Sequence, residues 1–182
     1  MSEINEARTH EVPMQIDRGF FEQFAERLFA VWNQHDTMDL ADLVAEDVVW
    51  IDPIVVEPAR GVEGVRQFME NSWRAMPDLH FDVIGPRCFA DDAPVAMVPW
   101  KMTGTYLHRF DPPGFAPTGR RIYVDGVDVY TFREHKIAHY VAYYDVSLLM
   151  RQLGILPASG SREEKMFVAV QRLRTQLSNL RR

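Results

Sequence analysis

Two aspartates are the residues most able to move a proton. Asp52 closes the run Trp50-Ile-Asp-Pro53, at the end of an apolar stretch and beside large aromatic surface. Burial disfavours the charged form of a carboxyl and raises its pKa, which a general base or acid working near neutrality requires. Asp-Pro is also a common turn opener, so the residue types alone leave a structural role open. Asp128 lies in Val124-Asp-Gly-Val-Asp-Val-Tyr-Thr-Phe132. Strand alternation puts Val124, Gly126, Asp128, Tyr130 and Phe132 on one face, and Asp125, Val127, Val129 and Thr131 on the other. Neither face is cleanly polar, so both are expected to be covered. A covered carboxyl must then be paired or neutral. A structural Asp bonded to backbone amides or an arginine is the competing reading.

Other polar groups offer less. His108 and Arg109 fall where a β-rich run meets a long loop, a place from which a side chain can reach a cavity mouth. His135 and His139 are four apart, a spacing that suits a metal on a helix, but they straddle a strand start without a third ligand, so no metal site is expected. Cys88 is alone, which excludes an internal disulfide and a paired-cysteine zinc site. No serine or cysteine motif marks a nucleophile, and no glycine-rich phosphate loop is present. In the last β-like run, Tyr140, Ala142 and Tyr144 share one face, and His139, Val141, Tyr143 and Asp145 the other. Tyrosines so placed line a pocket for an aromatic or polycyclic ligand, or pack a core.

The elements that must hold these residues follow from hydrophobic periodicity. Phe20, Phe21, Phe24, Leu28, Phe29, Val31 and Trp32 recur at steps of three and four, an amphipathic helix starting near Asp17. Leu40, Leu43 and Val44 make a second short helix, Val48–Asp52 a strand stopped by Pro53, and Gly61–Met76 a third helix. Four alternating runs follow: Leu79–Ala90, Pro94–Tyr106, Arg121–Phe132 and Lys136–Asp145. Lys101, between Trp100 and Met102, points away from them. The gap Arg109–Arg120 is a loop over one end of the sheet. Helices followed by consecutive strands indicate α+β, an antiparallel sheet wrapped on helices.

The chain of 182 residues is expected to hold one domain over 17–154, with a loose arm over 1–16 and a helical extension over 155–182. In that extension Ser161 and Glu164 form a capping-box pattern. Met166, Val170, Leu173, Leu177 and Leu180 follow as a narrow heptad-like seam. Six basic and two acidic side chains give residues 161–182 a charge of +4, leaving −10 of the net −6 on the rest. Such a helix is expected to dock on its own acidic body or on a second copy. The acidic balance argues against nucleic acid and anionic membranes. No apolar run is long enough to span a bilayer, and the first residues lack the apolar core of a signal peptide. A cytoplasmic protein is the expectation.

Element order and residues together resemble the nuclear-transport-factor-2-like superfamily, whose fold is a cone made by a curved sheet around helices. Gly104-Thr-Tyr-Leu-His, Ala116-Pro-Thr-Gly-Arg-Arg121, Ala75-Met-Pro-Asp-Leu79 and Arg151-Gln-Leu-Gly154 resemble the SnoaL-like polyketide and ester cyclases. Asp52 and Asp128 are similar in position to the proton-shuttling base and the protonated acid of ketosteroid isomerase, a worked case of pKa tuning. The resemblance puts Leu28 at that isomerase's helix tyrosine. It puts Ala142 at the cyclase's last-strand aspartate, and Asp128 at its partner histidine.

Strand parity and the resemblance together imply one apolar, aromatic-lined cavity. Trp32, Trp50, Leu79, Phe81, Trp100, Met102, Tyr130, Tyr140 and Tyr144 are its expected walls, and Asp52, Asp128 and His108 its candidate catalytic groups. The expected function is a cofactor-independent acid/base enzyme of the cyclase or isomerase class, acting on a hydrophobic aromatic or polycyclic small molecule through an enolate. A lyase on the same scaffold, such as a dehydratase or retro-aldol enzyme acting on lignin-derived diaryl diols, and a non-catalytic binding or assembly module are the alternatives. The resemblance also implies a homodimer paired through the sheet.

Overall fold

The computed structural model describes residues 16–111 and 113–179; the expected arm, apart from Ile16, and Leu180 of the C-terminal seam lie outside the described residues. Helix α1 (Arg18–Gln34) begins where the Asp17 carboxylate accepts a hydrogen bond from the Phe20 N–H at 2.8 Å, satisfying one of the free donors of a first helical turn. Its buried stripe, from Phe21 to Trp32, follows the three- and four-residue spacing of the sequence. The helix stops at His35, which adopts a left-handed backbone. That conformation is uncommon outside glycine. The His35 ring stacks on Trp73 and hydrogen-bonds the Leu79 carbonyl at 3.0 Å, which holds it there.

The order continues with α2 (Leu40–Leu43), β1 (Val44–Ile51), β2 (Ala59–Arg60), α3 (Gly61–Ala75), β3 (His80–Val83) and β4 (Cys88–Phe89). Then come β5 (Val95–Thr105), β6 (Arg121–Arg133), β7 (Lys136–Tyr144), α4 (Val146–Gln152) and α5 (Arg162–Asn179). The strands form one sheet in the order β2-β1-β7-β6-β5-β3, with β4 also on β5. Every pairing is antiparallel except β1 on β7. The α+β cone of the nuclear-transport-factor-2-like fold is therefore present.

Several elements depart from expectation. The run Leu79–Ala90 is two short strands, because Gly85-Pro86 interrupts the ladder and a proline cannot donate to it. Strand β2 and helix α4 were not expected. Asp145 ends the last strand and caps α4, accepting from the Leu148 N–H at 2.9 Å. Helix α5 meets the body through the Glu164–Arg151 ion pair at 3.5 Å, but none of its residues is buried, and Met166, Leu173 and Leu177 of the expected docking face, with Phe167, are all more than half exposed. Among the described residues no helix is long and apolar enough to cross a membrane.

Cross-strand register builds the inner face in rows. Trp100, Gly126 and Tyr144 are aligned across β5, β6 and β7; Val98, Asp128 and Ala142 form the next row; Ala96, Tyr130, Tyr140 and then Trp50 of β1 form the third. Gly126 is small for a reason. A Cβ there would fall among the Cη2 and Cζ2 atoms of the Trp100 ring and 2.9 Å from the Tyr143 carbonyl. The indole lies flat across the strand because nothing projects from it. Gly126→Ala is expected to lower the unfolding free energy by about 1–3 kcal/mol through overpacking and to alter the near-ultraviolet circular dichroism of tryptophan. A urea midpoint equal to that of the parent protein would show that Trp100 does not rest on this strand.

Candidate active site

Asp128 is 5% exposed, at the centre of the inner face, and its Cα partners Val98 and Ala142 are small or slender. That leaves room for its carboxyl and for two hydroxyls reaching it from the neighbouring row. Tyr130 donates its O–H to Oδ2 at 2.8 Å, and Tyr140 donates to Oδ1 at 2.7 Å. Each carboxyl oxygen therefore has its own donor. Burial nevertheless dominates and pushes the Asp128 pKa up to about 7, against the opposing pull of Tyr140, Trp100 and Tyr130; the charge on Asp52 adds to the rise. The Trp100 Nε1–H lies near enough to favour the ionised form, yet it closes no hydrogen bond and is buried without a partner.

Asp52 stands just past the end of β1. Its Oδ1 accepts from the Tyr144 O–H at 2.6 Å and from the Ile54 N–H at 2.9 Å, while Oδ2 accepts nothing among the described residues. Asp52 keeps some surface exposure as a residue, but its carboxyl is enclosed, and burial raises its pKa above the ordinary value despite both donors. The tyrosines respond in turn. Burial first, then the nearby carboxylates, hold the Tyr130, Tyr140 and Tyr144 hydroxyls protonated at any ordinary pH.

Both aspartates line one narrow cavity of about 50 Å³, together with Trp32, Leu79, Phe81, Trp100, Met102, Tyr140 and Tyr144. Two expected wall residues stand behind it instead. Tyr130 is absent from the lining but bonded to Asp128, and Trp50 stacks on Tyr140 with ring centroids 3.5 Å apart. His108 is not brought to the cavity. It is exposed after β5, and its backbone N–H donates to the Ala75 carbonyl at 3.1 Å.

Sequence reasoning missed Phe29, Ile54, Phe68, Ser72, Phe110 and Leu149, which complete the lining. Phe29 and Phe68 were legible as helix stripe residues at steps of three and four. Phe110 and Leu149 had no periodic signal. Phe110 comes from the loop after β5, which folds on itself: the Tyr106 hydroxyl donates to the Phe115 carbonyl at 2.6 Å, and Phe110 and Phe115 form an isolated bridge. Leu149 comes from α4. Phe81 is held in place by an amide pair, the Asn33 side chain donating to the Phe81 carbonyl and accepting from its N–H, at 2.9 and 2.8 Å. No group of His, Cys, Asp or Glu among the described residues could hold a metal ion.

The sequence model of a family described as SnoaL-like polyketide cyclase matches residues 22–153, the whole of the cone. The chain belongs to the SnoaL-like polyketide cyclase family. No curated protein is similar enough to count as a relative. Solved structures share the SnoaL-like fold at low identity. TsrD from Streptomyces laurentii is 23% identical, with a TM-score of 0.67 over 78% of this chain and 100% of its own. AclR from Streptomyces galilaeus is 20% identical, with a TM-score of 0.64 over 91% and 98%. A SnoaL-like polyketide cyclase from Agrobacterium tumefaciens is 20% identical, with a TM-score of 0.58 over 73% and 97%.

The raised pKa of Asp128 fixes the sign of a pH effect within this SnoaL-like scaffold. The folded state holds the proton more tightly than the unfolded chain, so the contribution is fully present below about pH 4 and is lost as pH rises through about 7. Asp47 and Asp78 have lowered pKa values and act in the opposite direction at more acid pH. The clean readout is therefore a difference. Between pH 5 and pH 8, Asp128→Asn is expected to gain roughly 2–3 kcal/mol relative to the parent protein in urea unfolding. Parallel stability curves would mean that Asp128 ionises freely in the folded state.

Proposed function

We propose that the protein is a cofactor-independent acid/base enzyme that forms an enolate from a carbonyl compound with an apolar, aromatic body. The observation that carries this reading is the pairing of two enclosed aspartates on one cavity with unlike hydrogen bonding. Asp52 has one carboxyl oxygen free, whereas both oxygens of Asp128 are held. Neither is paired with arginine or lysine among the described residues, as a purely structural aspartate would be expected to be.

Roles follow from that asymmetry. Asp52 Oδ2 takes a proton from the carbon next to the substrate carbonyl. The C–H electron pair moves into the adjacent C–C bond, and charge accumulates on the carbonyl oxygen. Protonated Asp128 donates a hydrogen bond to that oxygen, and the Trp100 Nε1–H, buried without a partner, is a second donor of the kind the developing charge requires. The proton on Asp52 then returns to a different carbon, which isomerises the substrate, or the enolate carbon attacks a second carbonyl and the alkoxide so formed takes the proton back from Asp52, which closes a ring. The family resemblance puts a carboxylate at Ala142, and Asp128 is the direct cross-strand partner of Ala142. Directly opposed side chains sit about 4.5–5.5 Å apart at Cβ, so an acid on β6 reaches nearly the same space. This supports a cyclase-type site with its acid moved one strand over. A lyase that draws its acid or base from His108 is disfavoured, because His108 stands outside the cavity.

We also place the expected dimer contact on the outer face of the sheet, where Met97, Tyr123 and Tyr143 remain 42, 65 and 60% exposed. Tyr143→Glu is expected to yield a monomer in light scattering, and an unchanged mass would move the contact elsewhere.

Proton abstraction can be followed without knowing the product. In deuterated water, aryl ketones should exchange hydrogen next to the carbonyl in the presence of the protein, read by NMR. Asp52→Asn should slow exchange at least tenfold, and Asp128→Ala, which removes the donor, by about 10²–10³, the usual cost of a lost donor. Exchange at the parental rate in either variant would remove that residue from the mechanism.

A further inference from the structure

The cavity that holds the aspartates is too small for the ligand its walls imply. About 50 Å³ accommodates about four water-sized groups, whereas sites for drug-sized molecules span roughly 300–1,000 Å³. A second space of about 640 Å³ adjoins it. Ile54, Phe68 and Phe110 line both, so the two spaces meet at these three side chains. We propose that the outer cleft is a second binding site, which takes the fused-ring or diaryl body of the substrate while only its carbonyl-bearing arm passes between Ile54, Phe68 and Phe110 to Asp52 and Asp128. This deepens the enolate reading and rests on it for the identity of the arm.

The cleft suits that occupant. Phe68, Phe110 and Phe115 offer three aromatic faces, and Met150 adds an adaptable apolar contact. Gly64, Gln67, Phe68 and Asn71 lie along one stripe of α3, and Gly64 lets that stripe lie against Ala59 of β2. Among the described residues charge enters the lining only through Glu57 and Arg60, one of each sign, which favours a neutral body over an ionic one. Continuity with the reacting space selects a single elongated molecule over an unrelated ligand. The arm is correspondingly limited to a few non-hydrogen atoms.

The test uses 2-acetonaphthone, a two-ring body with a short ketone arm, and the full chain. Binding is followed by titration calorimetry and by NMR shifts at millimolar probe. Gln67→Trp and Asn71→Trp, on the solvent side of α3, fill the cleft without entering the core or the catalytic groups. Each should weaken 2-acetonaphthone at least tenfold while leaving the NMR shifts caused by acetone, which fits the inner cavity alone, unchanged. Equal affinity in both variants, no binding to the parent chain, or binding lost at high protein concentration because a second copy fills the cleft would each overturn the proposal. The enolate reading fails separately. Cleft-dependent binding without deuterium exchange would sink the chemistry and leave the two-part site standing, and Asp52-dependent exchange with cleft-independent binding would do the reverse.

Discussion

Two carboxyl groups share one narrow and mostly apolar space, and the cost of holding charge there governs what surrounds them. If both ionised, each would face desolvation and the repulsion of the other. The surroundings discriminate between them. Asp128 sits deep, with Tyr130 and Tyr140 on separate oxygens, and its proton is in balance near neutrality. Asp52 sits beyond a strand end, with both donors on one oxygen. One group is thereby fixed in direction and the other left with an open lone pair. The small residues at Ala142 and Gly126 follow from the same constraint, since larger side chains there would occupy the space of the tyrosine hydroxyls and the Trp100 ring.

Rigid elements supply this arrangement. Asp128, Tyr130, Tyr140, Tyr144 and Trp100 all stand on three adjacent strands in continuous register, so their spacing is set by the ladder. The helices contribute apolar walls, with Trp32 and Phe29 from α1 and Phe68 from α3. Where the sheet edge thins, side chains substitute for strands. Asn33 pairs with the Phe81 backbone as a neighbouring strand would, and the Trp73 indole N–H donates to the Trp32 carbonyl at 3.1 Å near the end of α1.

Much of this was legible from alternation. The parity of Val124–Phe132 and of Lys136–Asp145 turned Asp128, Tyr130, Tyr140 and Tyr144 to one face, and the structure has them on the interior side. Parity could not say which of these side chains meet the cavity and which stand behind it. That depends on cross-strand rows, and register is a property of pairs of strands. Trp50 and Tyr130 were misplaced for this reason. His108 was misplaced because a loop residue's direction follows from tertiary contacts, here the hydrogen bond of its backbone to Ala75. The floor of the cavity was illegible too. Phe110 lies in a stretch that reads as turn chemistry, and Leu149 in a helix of only seven residues with one buried position.

The loop that carries Phe110 is tied down at its far end, where the Thr118 hydroxyl donates to the Leu153 carbonyl beyond α4 at 2.7 Å. The two segments that close the cavity are thus fastened to one another as well as to the sheet, where the Gln152 side chain accepts from the Tyr123 N–H of β6 at 2.8 Å. Changes of length or sequence between 107 and 119 would reshape the space while leaving Asp128 on β6 and Asp52 just past the end of β1. In such an arrangement the floor of the cavity and the aspartates above it belong to separate parts of the chain, so the shape of the space can change while the two carboxyl groups stay where they are.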